Sequence, residues 1–501
     1  MNNFNNMYLE IARVVTNDPH RIAIDCDGAQ VAYGELDAAV ARTANALLDT
    51  GVQPGDRVAV QVQKSVPSLF VYLACLRAGL VYLPLNTAYK SSELDYFLRD
   101  AEPGLVLVES ENLAAMQTLS NASIGAPVMT IEGNESTALA KLIAVAPAQF
   151  DTRSCSADDL AVIIYTSGTT RRSKGAMVTH GNLVSNARAL TQAWRFNEND
   201  VLLHALPIFH VHGLFVANHC ALTTGACLLW HDRFDPKAVV TDLGRASVLM
   251  GVPTFYVRLL GEADLSRETC QGMRLFISGS APLLAETHKE FEQRTGHRIL
   301  ERYGMSEAGM ITSNPYDGER RAGTVGFPLP GNEVRVVDET GQRLPAGENG
   351  AIQIKGANVF HGYWRMPEKT REEFTDDGWF RTGDIGMFDG DGYLSIVGRA
   401  KDLIITGGYN VYPKEIELVL DELPGVGESA VIGVPHSDFG EAVTAVVVPK
   451  ADAQPDEANI ISELKSKLAG YKVPKRVHFV DSLPRNTMGK VQKNLLRERF
   501  G

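Results

Sequence analysis

Apolar residues alternate between helical and strand periodicity in the first part of the chain. Four apolar residues at i, i+4, i+8 and i+11, beginning at Leu36 and ending at Leu47, predict an amphipathic helix that stops near Gly51. Short apolar runs at 57–62 and 105–108 predict buried strands. Helices that alternate with short apolar strands indicate parallel α/β layers.

The alternation continues to about residue 280, and then the pattern changes. Between 323 and 398, turn dipeptides separate short runs of period two, which predicts a small antiparallel β subdomain. A smaller α/β unit follows, with Pro413 at the first position of a predicted helix. We therefore predict an α/β protein with an N-terminal domain over 1–398, a connection at 399–402 and a C-terminal domain over 403–501.

The chain has 501 residues and a formal net charge of −12, with 45% hydrophobic residues. These values are typical of a globular protein and disfavour a nucleic-acid or anionic-membrane partner. We expect no membrane span, because polar residues and Gly225 interrupt the longest apolar stretch, 214–230. The six cysteines form no C-x-x-C pair and the first residues lack the signal-peptide pattern, so we expect free thiols and a cytoplasmic location.

The apolar run 160–164 leads directly into a loop rich in hydroxyl groups. Hydroxyls and exposed backbone N–H groups donate to phosphate oxygens, glycine lets the backbone approach an oxyanion, and lysine adds a positive charge. The spacing does not match a Walker A loop. The candidate phosphate-binding residues are Thr166, Ser167, Gly168, Thr169, Thr170 and Lys174.

This loop closely resembles the phosphate-binding signature of the adenylate-forming superfamily, which contains acyl-CoA synthetases, luciferases and nonribosomal-peptide adenylation domains. Members of that family usually carry glycine where this chain has Arg171. If the position requires positive φ, an arginine there costs about 1 kcal/mol or more, whereas its side chain could instead add a phosphate contact. The sequence leaves both interpretations open.

Further motifs follow in the order of that family, and the resemblance runs from about residue 20 to the C-terminus. The run 301–307 is similar to the family's Y-G-x-T-E motif, which implies that Ser306 contacts the α-phosphate and Glu307 holds Mg²⁺. The run 381–384 is similar to R-T-G-D, which implies that Asp384 accepts hydrogen bonds from both ribose hydroxyls. By the same resemblance, the nucleotide also contacts Ser280, Ala281, Pro282, Tyr303 and Gly304.

Two motifs of the C-terminal part resemble the family's hinge and its catalytic lysine. The resemblance implies that Arg399 helps bind the ribose and that Lys401 is the hinge of a mobile lid. Gly408 is expected on the loop that reaches the site for thioester formation. In the run 484–490, the resemblance implies that Lys490 serves adenylation, since a positioned ammonium stabilises the charge that develops when a carboxylate attacks the α-phosphorus.

The resemblance therefore implies a large N-terminal domain of two α/β layered subdomains plus a small β subdomain, and a small mobile α+β C-terminal lid. Three runs, 251–256, 274–282 and 301–304, resemble malonyl-CoA synthetases in particular. A dicarboxylate leaves a second carboxylate in a closed site, where an unpaired charge costs several kcal/mol. The candidate ligands for that carboxylate are His210, Arg274, Ser280 and Arg302.

Other interpretations of these residues stay open. Arg274 could be a surface charge at a strand end, and Arg302 could pair with Glu301 or another acid. His210 and His212 could share a metal, but no third ligand is obvious, and a histidine that gates the acyl site is the better interpretation.

We therefore expect an AMP-forming malonate–CoA ligase that uses ATP, CoA and Mg²⁺ and proceeds through malonyl-AMP, with methylmalonate as a second acid. An oxalyl-CoA or other short-chain synthetase, a domain that loads a carrier protein, and a nucleotide-binding homologue impaired by Arg171 are the alternatives. A phosphoryl-transfer ATPase is disfavoured by the loop spacing. The motif at Lys490 also resembles sites at which a lysine acetyltransferase removes the required charge.

Overall fold

The computed structural model describes residues 6–131, 138–166, 173–406, 409–436, 438–451, 453–486 and 489–501. The chain forms two compact units, each assembled from separate stretches of sequence. The first unit comprises Met1–Ala322, Gly326–Glu333 and Lys355–Phe380, and the second comprises Gly323–Val325, Val334–Ile354 and Arg381–Gly501. The predicted boundary at 399–402 is a different division of the chain, and it stays a prediction.

The part of the chain up to Pro328 alternates helices and short strands. In chain order these are α1 (Tyr8–Asn17), β1 (Ile22–Cys26), β2 (Ala29–Ala32), α2 (Tyr33–Asp49), β3 (Arg57–Gln61), α3 (Val66–Ala78), β4 (Val81–Pro84), α4 (Ser91–Ala101), β5 (Leu105–Val108), α5 (Leu113–Ser123), β6 (Val128–Thr130), α6 (Ala138–Val145), β7 (Leu160–Thr166), β8 (Lys174–Thr179), α7 (His180–Ala193), β9 (Val201–His204), α8 (Asn218–Leu222), β10 (Cys227–Trp230), α9 (Pro236–Asp242), β11 (Val248–Gly251), α10 (Pro253–Leu260), β12 (Leu275–Ser278), α11 (Ala285–Thr295), β13 (Leu300–Met305), β14 (Gly309–Ser313) and β15 (Phe327–Pro328).

The remaining part is richer in strands. It contains β16 (Asn332–Val337), β17 (Gly350–Gly356), α12 (Pro367–Glu373), β18 (Phe380–Phe388), β19 (Leu394–Arg399), β20 (Ile404–Thr406), β21 (Tyr409–Val411), α13 (Pro413–Asp421), β22 (Val426–His436), β23 (Gly440–Pro449), α14 (Glu457–Lys467), β24 (Arg476–Phe479) and α15 (Lys493–Phe500). Single 3₁₀ turns lie at Ser110–Asn112, Leu243–Arg245, Ala400–Asp402 and Gly470–Lys472, and a π-helical segment spans His212–Ala217.

Two largely parallel sheets organise the first unit, as the sequence predicts. One has the strand order β6-β5-β3-β4-β7-β8, and the other has the order β15-β14-β13-β12-β11-β9-β10-β1-β2. Within the second sheet, β1, β10, β9, β11, β12 and β13 run parallel to one another. Parallel strands are buried on both faces, which explains their nearly continuous apolar sequences.

The helix predictions rest on features that the structure confirms. The apolar positions from Leu36 to Leu47 form the buried face of α2. Helix α3 ends at Gly79, whose φ of 68° provides the left-handed cap that glycine adopts without steric cost.

The second unit contains two smaller sheets, with orders β16-β17-β18-β19 and β21-β20-β23-β22, and β24 pairs with β23. The antiparallel pairing of β18 with β19 agrees with the predicted β subdomain. Helix α13 begins at Pro413, as predicted, and Ile416 and Leu420 on it pack into the core of this unit. All six cysteines of the chain are free. No helix within the described ranges is long and apolar enough to cross a membrane.

Candidate active site

The candidate acid-binding residues lie at the carboxyl edge of the nine-stranded sheet. Strand β12 pairs in parallel with β13, with Ser278 opposite Glu301. Gly279 and Arg302 directly follow that register pair, so the backbone of one lies beside the side chain of the other. Ligands of open α/β sheets bind at the carboxyl ends of the strands, so this is the expected place for a substrate.

Arg302 is a buried cation with donors left free. It is 4% exposed, and its Nε and Nη2 atoms have no hydrogen-bond partner within the described residues. Burial lowers the pKa of its guanidinium to about 9, which still leaves it charged near neutral pH. Glu301 precedes it on the strand, where successive side chains point to opposite faces, so the geometry does not favour an ion pair between the two. A buried charge of this kind is costly unless an anion completes it.

Gly279 creates the space that the guanidinium of Arg302 occupies. A Cβ atom at Gly279 would lie only 2.4 Å from Cζ of Arg302, which is a severe overlap. The next residue, Ser280, has a φ of 71°, an uncommon conformation for a residue with a side chain. Strained residues of this kind concentrate at functional sites, which agrees with the role expected for Ser280.

Two histidines add neutral polar groups to the same region. Nδ1 of His210 and Nε2 of His212 are buried without a partner in the described part of the chain. Nδ1 of His212 lies 3.4 Å from Oγ of Ser280. Burial, and after it the charge of Arg302, lowers the pKa of His210 to about 4 and that of His212 well below its usual value. The pair is therefore neutral near pH 7 and can offer N–H donors to an anion.

Arg274 does not belong to this group. It precedes β12, at the amino end of the strand, which is the opposite edge of the sheet from Arg302. Its Nε and Nη2 atoms donate to the two carboxylate oxygens of Asp200 at 2.6 and 2.7 Å. The guanidinium is thus committed to a bidentate ion pair, and we remove Arg274 from the candidate substrate ligands.

The residues that flank the predicted phosphate loop form a hairpin. Thr166 ends β7 and pairs with Lys174 at the start of β8. The loop residues Ser167, Gly168, Thr169, Thr170 and Arg171 lie outside the described residues. Lys174 is 6% exposed; its Nζ lies 3.5 Å from Oε1 of Glu373 and 4.2 Å from the ring centre of Tyr363. The cation thus already has an anionic and an aromatic neighbour.

Tyr363 connects this lysine to the predicted magnesium ligand. Its hydroxyl donates to Oε1 of Glu307 at 3.1 Å, and both side chains are buried. Within the described residues no group of three or more potential metal ligands occurs. Magnesium is commonly held by one or two carboxylates together with substrate phosphates, so a single oriented carboxylate fits it. Of the other predicted nucleotide contacts, Tyr303 and Gly304 lie in β13 and Ser306 follows it directly, whereas Ala281 and Pro282 lie in the loop between β12 and α11.

In the second unit, the predicted ribose ligands form an ion pair. Asp384 and Arg399 are opposite each other across β18 and β19, and Nε of Arg399 lies 2.7 Å from Oδ1 of Asp384. Asp384 is 3% exposed, so this carboxylate is held in a fixed position. The 3₁₀ turn that carries the predicted hinge Lys401 follows at once, whereas Gly408 lies outside the described residues.

Lys490 belongs to the same electrostatic cluster of the second unit. Its backbone N–H donates to Oδ1 of Asn486, and its carbonyl accepts from the Asn486 N–H, both at 2.9 Å. Desolvation, and after it the charge of Arg399, lowers the pKa of Lys490 to about 8, while Asp384 acts in the opposite direction. The side chain is exposed to solvent, which moderates the desolvation, but the nearby positive charges of Arg399 and Lys401 support the downward direction.

Sequence reasoning missed two residues of the first unit that shape these groups. Gly279 was hidden inside a run of small residues, and its close approach to Arg302 depends on the register of β12 and β13. Tyr363 carries no local signal beyond its place next to Trp364, although a tyrosine hydroxyl that becomes buried usually finds a hydrogen-bond partner.

Comparisons with known proteins identify the family to which the chain is similar. Residues 11–364 match the family model described as AMP-binding enzyme, and residues 415–490 match AMP-binding enzyme C-terminal domain. The chain is 36% identical over 494 residues to a feruloyl-CoA synthase from Amycolatopsis sp, covering 96% of each chain. It is 36% identical over 538 residues to a malonate–CoA ligase from Arabidopsis thaliana, covering 96% of this chain and 87% of that protein. The crystal structure of ATP-bound MatB from Rhodopseudomonas palustris superposes with a TM-score of 0.96 at 55% identity, covering 100% of this chain and 99% of the other.

Proposed function

Because this chain belongs to the AMP-binding enzyme family, in which it is an AMP-forming acyl-CoA ligase, we propose that its acid is malonate, with methylmalonate as a second substrate. Buried Arg302, whose Nε and Nη2 donors are unpaired in the described structure, is the observation that carries the proposal. One carboxylate of malonate must react, and the other needs a partner inside the closed site. A guanidinium is the side chain best suited to bind a carboxylate with two parallel hydrogen bonds.

The neighbours of Arg302 support the same assignment. Ser280 can donate through its hydroxyl, and His210 and His212 can donate as neutral imidazoles. A monocarboxylic acid with an aromatic or fatty chain would leave the guanidinium buried and unpaired. Such acids are therefore expected to be poor substrates, even though one relative is a feruloyl-CoA synthase.

The proposed reaction has two steps. In the first, a carboxylate oxygen attacks the α-phosphorus of ATP, the bond to the β-phosphate oxygen breaks, and pyrophosphate leaves with that electron pair. The ammonium group of Lys490 stabilises the charge on the oxygens in flight. In the second step, the sulfur of CoA attacks the acyl carbon, AMP leaves with the electrons of the acyl–phosphate bond, and the thiol proton is released.

The proposed roles in binding the nucleotide and Mg²⁺ belong to residues described above. Lys174 and the hydroxyls of the phosphate loop bind the phosphates, and Asp384 with Arg399 binds the ribose. Glu307, oriented by Tyr363, would hold Mg²⁺, which neutralises phosphate charge when it is bound. The rotation of the lid about Lys401 and the approach of Gly408 stay predictions.

Two further expectations rest on fewer observations. The six free cysteines favour a reducing compartment, and we propose a cytoplasmic location on that ground. Acetylation of Lys490 by a lysine acetyltransferase stays a prediction, and the exposure of that side chain is compatible with it.

The test is pyrophosphate release by the purified chain with Mg·ATP and a panel of acids: malonate, methylmalonate, oxalate, acetate, sulfoacetate and ferulate. Each acid is supplied with and without CoA, beside an Arg171→Gly variant. Release that depends on malonate, with malonyl-CoA formed when CoA is present, supports the proposal. If pyrophosphate is released only with oxalate or sulfoacetate, the site still binds a second anionic group, but malonate is not the substrate. If pyrophosphate is released only by the Arg171→Gly variant, the natural chain is an impaired homologue.

A further inference from the structure

A second buried basic side chain, that of Lys64, lies on the loop between β3 and α3. It is 8% exposed, and burial lowers the pKa of its amino group well below the usual value, while the charge of Asp232 acts in the opposite direction. Its Nζ donates to the backbone carbonyls of His204, at 2.6 Å, and of His231. It also contacts Nδ1 of His204 at 2.9 Å and lies 4.1 Å from the ring centre of Trp230. Three acceptors therefore surround an amino group that has up to three hydrogens.

The contacts of His204 define which ring nitrogen carries its proton. Its Nε2 lies 3.0 Å from the carbonyl oxygen of Gly213, which can only accept, so Nε2 must be the donor. Burial keeps the pKa of His204 well below its usual value, and any positive charge on Lys64 acts in the same direction, so the ring is neutral. A neutral ring with hydrogen on Nε2 has a free lone pair on Nδ1, and that lone pair accepts from Lys64.

The carbonyl that His204 holds belongs to the π-helical segment next to the acid site. Gly213 follows His212 in that segment, and a Cβ at Gly213 would lie 2.1 Å from the carbonyl oxygen of Pro207. The backbone is thus packed closely against the preceding loop and has little freedom to adjust. The ring of His212 meets Ser280 at 3.4 Å, and the charge of Arg302 acts on it. Single π-helical turns occur frequently at functional sites.

We propose that Lys64 and His204 are positioning residues for the acid site. Lys64 fixes the orientation and tautomer of His204, and His204 anchors the Gly213 carbonyl, which holds His212 in place to bind the second carboxylate. This inference rests on the proposed function for the identity of the acid. The chain of hydrogen bonds itself stands on the contacts of Lys64, His204 and Gly213.

A purely structural role is the alternative. Lys64 joins the carboxyl ends of β9 and β10 to the loop after β3, and such a link stabilises the unit without regard to substrate. A structural link would lower the melting temperature and impair every substrate alike. A positioning role predicts instead a loss of apparent affinity for the acid with little change in the KM for ATP.

Two substitutions of His204 separate these roles. His204→Gln places an amide N–H where Nε2 lies and keeps the donor to Gly213, whereas His204→Asn places its amide where Nδ1 lies and loses that donor. We expect His204→Asn to raise the KM for malonate about tenfold to a hundredfold, because displacement of a binding group by about 1 Å has effects of that order. We expect His204→Gln to stay within about threefold of the wild type, because its amide keeps an N–H toward Gly213. Lys64→Met should fall between the two variants, because the ring keeps Nε2 but is no longer held in one tautomer.

A second readout does not depend on turnover. In protein labelled with ¹⁵N-histidine, His204 should show a proton on Nε2 only, and the signals of His212 should shift in His204→Asn but not in His204→Gln. Equal KM values for malonate in both variants, or unchanged His212 signals in both, would overturn the inference. If the wild type turns over a different acid, the proposed function fails, and the same comparison with that acid and the same spectra still decide the positioning role.

Discussion

The guanidinium of Arg302 occupies the space in which a side chain at Gly279 would begin, with only 2.4 Å between its Cζ and a Cβ at that glycine. The two residues directly follow the register pair Ser278–Glu301 of neighbouring parallel strands. The arrangement places a charged group at the carboxyl edge of the sheet without a partner for its Nε and Nη2 among the described residues. It also shows that the glycine is part of the proposed acid site, although it has no side chain to contribute.

The first prediction concerns Gly279→Ala. The added methyl group must displace the guanidinium of Arg302, and we expect the KM for malonate to rise roughly tenfold or more, because the two hydrogen bonds to the carboxylate lose their geometry. The KM for ATP should change less. Steady-state kinetics with each substrate varied in turn measure both effects.

Gly244→Ala is the matched control, because no atom lies within 4 Å of a Cβ at that position and its backbone needs no positive φ. It should leave both KM values unchanged. A Gly279→Ala enzyme that binds malonate as well as this control does would show that the position of Arg302 is unimportant for the acid.

A second prediction separates function from stability at Arg302. Arg302→Met removes a buried charge but retains most of the buried volume, and we expect the free energy of unfolding to stay the same or to rise by about 1–2 kcal/mol. Turnover of malonate should nevertheless fall sharply, since the second carboxylate would enter an apolar site. Urea unfolding and malonate kinetics test the two parts, and a large loss of stability would indicate a structural partner for the arginine.

The role of Lys490 leads to a third prediction. Lys490→Ala should abolish formation of malonyl-AMP and pyrophosphate but spare the conversion of supplied malonyl-AMP and CoA into malonyl-CoA, because the ammonium serves only the first step. Each half-reaction is measured separately. Equal loss of both would argue against a role confined to adenylation.

The fourth prediction concerns the pH dependence of adenylation, which follows from the pKa of Lys490. The charged ammonium is the active form, so adenylation should be fully supported well below pH 8 and should decline as the pH rises through about 8, where the group loses its proton. Lys490→Arg stays charged over this range and should not show that decline, although its rate is expected to be lower. An unchanged alkaline limb in Lys490→Arg would assign the decline to another group.

The fifth prediction tests the corrected role of Arg274. Arg274→Met leaves the carboxylate of Asp200, which is buried, without its bidentate partner, so we expect a loss of about 3 kcal/mol in the free energy of unfolding. The KM for malonate should remain within about threefold of the wild type. A selective loss of malonate affinity in a stable protein would restore Arg274 to the acid site.

The parts of the fold that local pattern determines were predictable, and those that depend on strand register were not. The buried face of α2 and the bounds of β5 follow from the spacing of apolar residues, and the structure reproduces them. The position of Arg274 could also have been predicted from the sequence, since it precedes a parallel strand and therefore lies at the amino edge of the sheet. Arg274 was included among the acid ligands because of its residue type, although its position before the strand argued against it.

Other features require contacts between residues that are distant in sequence. Lys64 and His204 are 140 positions apart, and nothing local marks either one as part of a hydrogen-bonded chain. The apolar stretch 214–230 contains the end of the π-helical segment His212–Ala217, then α8 and β10, and Gly213 in that segment packs closely against the carbonyl of Pro207. Periodicity alone does not distinguish such a segment from an α-helix.

The most direct test of the account is a competition among acids for one enzyme. The purified chain is given limiting CoA, Mg·ATP and equal concentrations of malonate, methylmalonate, oxalate, acetate, sulfoacetate and ferulate, and the thioesters formed are separated by mass. The account predicts that malonyl-CoA dominates, followed by methylmalonyl-CoA, and that Arg302→Met loses this preference. Acetyl-CoA or feruloyl-CoA as the main product of the wild type would contradict the proposal that Arg302 binds a second acidic group of the substrate.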